Sequence, residues 1–95
     1  HLKEFNFRKS NGSLETIFTV DTIDAKGTRI VFNMHQLSSE WKIVQQELPL
    51  WITENEHQFQ QSISNELAVQ EIYFIKPSVS HDNQFSRLFN LFGLH

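Results

Sequence analysis

The chain contains no cysteine, which excludes disulfide bonds and zinc sites that use thiolate ligands. It has only three glycines, too few for the known glycine-rich loops that hold phosphate groups. No stretch approaches the roughly 18 consecutive apolar residues of a membrane span, and the first residues lack the apolar segment of a secretory signal. We therefore expect a cytoplasmic protein without a cofactor, although the chain begins at His1 and the sequence leaves open what precedes it.

Positive charge is also scarce. The formal net charge is −3, whereas nucleic-acid-binding domains usually present a strong basic field. Residues 47–95 contain only two cations, Lys76 and Arg87, beside six acidic residues. The sequence therefore predicts neither a nucleic-acid partner nor a helix that binds a membrane surface.

A few basic side chains nevertheless fall on one face of the predicted strands. Arg8, Arg29 and Lys42 can line up across the exposed face of a sheet, where they could bind an anionic partner. Basic residues on strands also discourage edge pairing and keep a sheet soluble, and nearby acidic residues can neutralise them. We favour this second interpretation, and we interpret Asp21 and Asp24 as turn residues at the end of a strand.

Aromatic residues are abundant, with nine phenylalanines and two tryptophans. Because each aromatic side chain buries about 150–250 Å², this supply is enough for one ordered core in a chain of 95 residues. The alternation of apolar and polar residues predicts which side chains are buried. The predicted core is Phe5, Phe7, Ile30, Phe32, Met34, Trp41, Ile43, Ile52, Phe59 and Ile63.

The first half of the chain has the two-residue period of β-strands. Strands are predicted near residues 3–9, 14–23, 28–36 and 41–46, separated by turns at Asn11-Gly12, Asp24–Gly27 and Ser38–Glu40. Short connections favour antiparallel neighbours, so we expect a meander in the order 1-2-3-4. The second strand is apolar on both sides, which predicts either a strand covered on both faces or a bulge.

A helix is predicted near residues 50–70, where the apolar residues change to a 3.6-residue period. Thr53 and Glu56 have the spacing of a capping box, which predicts Thr53 as the N-cap. The alternative is that the helix begins a turn earlier, near Pro49. Residues 68–76 fit either a helix or a fifth strand, and we favour a helix through about Gln70.

The last segment, residues 77–95, is predicted to be a loop followed by a short amphipathic helix. Its apolar residues Phe85, Leu88, Phe89 and Phe92 follow the spacing of one helix face. We predict that these four residues form a surface that binds a partner protein, most simply a second copy of the chain. The alternative is that the segment packs on the other face of its own sheet.

Together these patterns predict an α+β fold: a four-stranded antiparallel β-meander covered by one main helix, with a short amphipathic C-terminal helix. Residues 1–76 are predicted to form a single domain. No catalytic or metal-binding signature is present, and we expect His35 and His57 to be structural or surface residues. The predicted function is a non-enzymatic protein–protein interaction module that forms a homodimer. The alternative is a small-molecule-binding domain with an aromatic pocket near Trp41 and Trp51.

Overall fold

A computed structural model of the chain describes residues 2–11, 15–44, 47–75 and 84–91. These residues form an antiparallel sheet and two helices, so the α+β class and the antiparallel sheet predicted from the sequence are confirmed. In chain order the elements are β1 (Leu2–Asn11), β2 (Thr16–Ile23), β3 (Arg29–Leu37), β4 (Glu40–Ile43), α1 (Leu50–Thr53), α2 (Glu56–Ile75) and β5 (Gln84–Asn90).

The sheet is curled and has five strands in the order β4-β3-β2-β1-β5. The predicted meander of four strands is present within it, but the prediction of four strands in total is wrong. Residues 84–90, predicted as a C-terminal helix, form a strand that pairs antiparallel with β1, with Phe5 opposite Arg87 and Phe7 opposite Phe85. The backbone N–H and C=O groups on this side of β1 form hydrogen bonds with β5. This pairing explains why residues 84–90 are extended.

Two of the three predicted turns lie in the described residues. In the β2–β3 turn, the Asp24 carboxylate accepts hydrogen bonds from the backbone N–H groups of Lys26 and Thr28, and Gly27 has a φ of +85°. In the β3–β4 turn, Ser38 and Ser39 both have positive φ, 50° and 67°, between the paired residues Leu37 and Glu40. Of the predicted Asn11-Gly12 turn, Asn11 is the last residue of β1 and pairs with Thr16, whereas Gly12 lies outside the described residues.

The helical region begins earlier than the capping box predicts. Pro49 precedes α1, and Thr53 is the last residue of α1 instead of an N-cap. The Glu56 carboxylate, at the start of α2, accepts a hydrogen bond of 2.7 Å from the backbone N–H of Ile43 on β4. The predicted capping box is therefore wrong. The helical region does begin a turn earlier, after Pro49, but Pro49 is the N-cap of a separate helix that ends at Thr53, and the main helix α2 begins at Glu56. At its other end α2 continues to Ile75, past the predicted end near Gln70.

The core lies between one face of the sheet and the two helices. Eight of the ten predicted core residues are buried, and Ile30 and Ile43 are partly buried against them. Phe59 of α2 is the centre of an aromatic cluster, with ring centroids 4.7 Å from Phe5, 5.6 Å from Phe32 and 5.4 Å from Phe89. The buried hydrophobic residues that the prediction omitted are Phe18, Val20, Phe89 and Leu91.

We call the helix-covered face of the sheet the inner face and the opposite face the outer face. Along β1, Phe5 and Phe7 point to the inner face and are buried, whereas Glu4, Asn6 and Arg8 point to the outer face and are exposed. The second strand needs neither a cover on both faces nor a bulge to explain its composition. Phe18 and Val20 are buried on the inner face, while Ile23 is left exposed.

Candidate functional site

The first candidate site is the outer edge of β5. One side of this seven-residue strand pairs with β1, and no strand within the described residues pairs with its other side. The backbone N–H and C=O groups on such a side form a template to which another strand can add. This edge is therefore a candidate surface for strand addition.

The opposite edge of the sheet is protected in two ways. β4 has only four residues, and short edge strands offer few backbone groups to a partner. In addition, the hydrogen bond from Ile43 to the Glu56 carboxylate occupies one of its backbone donors. The two edges therefore differ, and β5 is the longer and less protected of them.

The structure separates the predicted partner-binding residues into two groups. Phe85 and Phe89 point to the inner face, where Phe85 stacks on Phe7 with ring centroids 4.6 Å apart and Phe89 is buried in the core. Leu88 points to the outer face and is 62% exposed. Phe92 lies outside the described residues. Of the three described residues, Leu88 is thus the one most accessible to a partner.

An ion pair fastens β5 to the main helix. Arg87 donates a hydrogen bond of 3.0 Å to the carboxylate of Glu66 on α2, and its guanidinium lies 4.8 Å from the ring centroid of Phe85. A charged residue on the inner side of an edge strand also limits uncontrolled pairing. Arg87 therefore attaches β5 to α2 and places a charge on the inner side of the edge strand.

The second candidate site is an open cavity of about 340 Å³ on the outer face. Its polar lining residues are Asn6, Arg8, Asp21, Arg29, Gln84 and Ser86. The prediction placed Asp21 in a turn, but Asp21 lies within β2 opposite Asn6 and Val31. The alternation of β2 could have predicted this position, because Asp21 lies two residues after Thr19 and the two side chains therefore lie on the same, outer face of the strand.

The third candidate site is a cleft of about 250 Å³ between the β3–β4 turn and α2. Trp41 lines it together with His57 and Gln60, among other polar residues of α2 and the turn. Trp51 does not line this cleft. It packs edge-on against Phe5, at a centroid distance of 6.2 Å, so the two tryptophans contact different parts of the core.

The histidines within the described residues are dispersed. His35 lies on the outer face of β3 with its Nδ1 3.3 Å from the carboxylate of Glu15, and His57 lines the Trp41 cleft. Within the described residues, no group of three or more histidine and acidic side chains is arranged to hold a metal ion. No helix there is long and apolar enough to cross a membrane.

Comparisons with known proteins give no family for this chain. No protein-family model matches it, and no match was found among curated proteins or solved structures. The edge of β5, the cavity and the cleft are therefore the features that bear on its function.

Proposed function

We propose that this chain is a non-enzymatic protein–protein interaction module that forms a homodimer through the free edge of β5. The observation that carries the proposal is the position of the seven-residue strand β5 at the sheet edge, where no further strand within the described residues neighbours it. Pairing with a second β5 would satisfy the backbone groups on that side, as strand addition does in other complexes. We place this assembly in the cytoplasm.

The side chains of β5 favour one antiparallel register. When two copies pair with Leu88 at the two-fold axis, Leu88 faces Leu88 on the outer face, and Arg87 faces Phe89 on the inner face. When the axis passes through Arg87, two guanidinium groups face each other, and like charges directly opposite are destabilising. The register centred on Leu88 is therefore the one we propose.

The outer face near this axis supports the same arrangement. Leu2 of β1 is exposed and lies diagonally next to Leu88, because Leu2 is opposite Asn90 and Glu4 is opposite Leu88. In a two-fold dimer these leucines form a continuous apolar strip across the joined sheets. Contiguous apolar surface of this kind commonly marks an interaction site.

The test is sedimentation equilibrium of the parent chain and of a Leu88→Lys variant over a range of protein concentrations. The parent should dimerise. The variant places two ammonium groups opposite each other and removes an apolar contact of about 1.5–3 kcal/mol per copy, so its dimer dissociation constant should rise by more than tenfold. Because Leu88 is exposed in the monomer, the variant should keep its fold.

Leu37→Lys is the matched control, since Leu37 is a similarly exposed leucine (59%) at the end of β3, away from the β5 edge. It should leave the dimer unchanged. Amide hydrogen exchange supplies a second measurement, because the β5 amides that point away from β1 should become more protected as the protein concentration rises. A monomeric parent would refute the proposal, and a dimer that both variants weaken equally would place the interface elsewhere.

The second candidate function is small-molecule binding, and what supports it is the Trp41 cleft. An indole edge beside the amide and imidazole groups of α2 can contact a ligand that is part apolar and part polar. Tryptophan fluorescence distinguishes this function from the first one. A ligand in the cleft should shift the emission of Trp41, and the shift should disappear in a Trp41→Phe variant but persist in Trp51→Phe.

A further inference from the structure

The cavity on the outer face is built around a fixed chain of hydrogen bonds. The Ser86 hydroxyl donates to the side-chain oxygen of Asn6 at 2.6 Å, and the Asn6 amide donates to Asp21 Oδ1 at 3.1 Å. Arg29 donates to the other carboxylate oxygen, Oδ2, at 3.1 Å. The chain links β5, β1, β2 and β3, so these four side chains hold each other in place.

Asp21 has little capacity left for a ligand. Both of its oxygens accept hydrogen bonds, and its side chain is only 13% exposed although it lies on the open face of the sheet. Its negative charge is paired with Arg29. The carboxylate therefore acts as the internal anchor of the cavity and not as its binding group.

Arg8 is in the opposite situation. It lines the same cavity and is exposed, and its side chain forms no hydrogen bond or ion pair with any other residue that the structure describes. A guanidinium carries five N–H donors in a planar arrangement that matches a carboxylate or a phosphate. The amide of Gln84, which is also exposed at the cavity, can supply a further donor.

The charges of the lining restrict the ligand. Two guanidinium groups, Arg8 and Arg29, and one carboxylate, Asp21, give the cavity a formal charge of +1 in a chain of net charge −3. A monoanion neutralises this lining, whereas a dianion leaves an excess negative charge beside Asp21. The volume of about 340 Å³ lies near the lower end of the range of roughly 300–1,000 Å³ for ligand pockets, which restricts the ligand to a small molecule.

From these observations we propose that the outer-face cavity binds a small monocarboxylate, with Arg8 as the residue that pairs with the carboxylate group. The hydrogen bonds to Asp21 hold Arg29 and Asn6 in place around the cavity. The sequence pattern alone favours a solubilising role for Arg8 and Arg29. In the structure the two residues differ, because Arg29 forms an ion pair with Asp21, whereas the Arg8 side chain has no ion-pair partner within the described residues.

The test is an NMR titration of the ¹⁵N-labelled chain with sodium acetate, at constant ionic strength maintained with sodium chloride. Saturable shifts are expected at the Arg8 Nε–H and at the side-chain amide of Gln84. Arg8→Gln should lower the acetate affinity by about tenfold or more, because it removes charge-assisted hydrogen bonds. Arg8 is exposed in the structure, so the substitution should leave the fold intact.

Lys26→Gln is the matched control. It removes one positive charge from the exposed β2–β3 turn, outside the cavity, and should leave acetate binding unchanged. If Arg8→Gln and Lys26→Gln weaken binding equally, or if acetate gives no saturable shift beyond that of chloride, the proposal is overturned. If phosphate displaces acetate at equal concentration, the assignment to a monocarboxylate is overturned.

Discussion

The replacement of Phe59 by alanine tests the packing of α2 on the sheet. Phe59 is fully buried, and its ring contacts aromatic rings from three strands, those of Phe5, Phe7, Phe32 and Phe89. Truncation of a buried phenylalanine costs about 3–5 kcal/mol, because transfer free energy is lost and a cavity remains. A chain of this length has a free energy of unfolding of roughly 5–14 kcal/mol, so Phe59→Ala should remove a large share of it.

A smaller substitution distinguishes the loss of apolar volume from the loss of the contacts between aromatic rings. Phe59→Leu keeps most of the apolar volume but loses the ring pairs, and we expect it to cost about 1–2 kcal/mol. Urea denaturation followed by circular dichroism measures both variants, at one protein concentration because dimerisation would add a concentration-dependent contribution. The melting temperature should fall by about 4–8 °C for each kcal/mol lost.

Val69→Ala is the control on the same helix, because Val69 is 40% exposed and its truncation should change the stability by less than about 0.5 kcal/mol. The packing described for α2 would be refuted by a Phe59→Ala variant that loses less than about 1 kcal/mol. It would also be refuted if the alanine and leucine variants were equally stable, because the cavity contribution would then be absent.

Two further predictions concern the β4 region. Replacing Ser38-Ser39 by Asn-Gly should raise the free energy of unfolding by about 1–2 kcal/mol, since both serines have positive φ and Asn-Gly suits such a turn; an unchanged urea midpoint would contradict this. Glu56→Ala should lower the free energy of unfolding by about 1.5–3 kcal/mol, because the Ile43 N–H loses a charged acceptor. Glu56→Gln should lose less, and thermal unfolding that ranks the two variants in the reverse order would refute this role.

The inner face of the sheet could be predicted from the sequence because its pattern is unambiguous. Phe5 and Phe7 alternate with polar residues on β1, and Phe32 and Met34 do so on β3, so the face that excludes water is determined locally. The capping box failed for a different reason. Glu56 has the correct spacing from Thr53, but a backbone donor on β4 competes for its carboxylate, and that contact cannot be derived from local spacing.

The outer-face cavity depends on register, which the sequence determines only indirectly. Asn6, Asp21 and Ser86 come from three strands and meet because Asn6 is opposite both Asp21 and Ser86. The first pairing does not follow from the predicted Asn11-Gly12 turn, because a two-residue turn there would place Asn6 opposite Ile17 and not opposite Asp21. The second pairing requires β5 to be a strand beside β1, so the cavity could not be predicted without the fifth strand.

The misassignment of β5 has a physical origin that also changes the expected interface. The spacing of Phe85, Leu88 and Phe89 fits one face of a helix, but Phe85, Arg87 and Phe89 also fit one face of a strand, and a charged residue at the middle position conceals the second pattern. In the structure this arginine is neutralised by Glu66, a partner from another element. As a helix, the segment would present its phenylalanines to a partner. As an edge strand it buries Phe89 in its own core and exposes Leu88 beside the backbone groups of the edge. Dimerisation should therefore be sensitive to a charge introduced at Leu88. It should depend on Phe89 only through the stability of the fold.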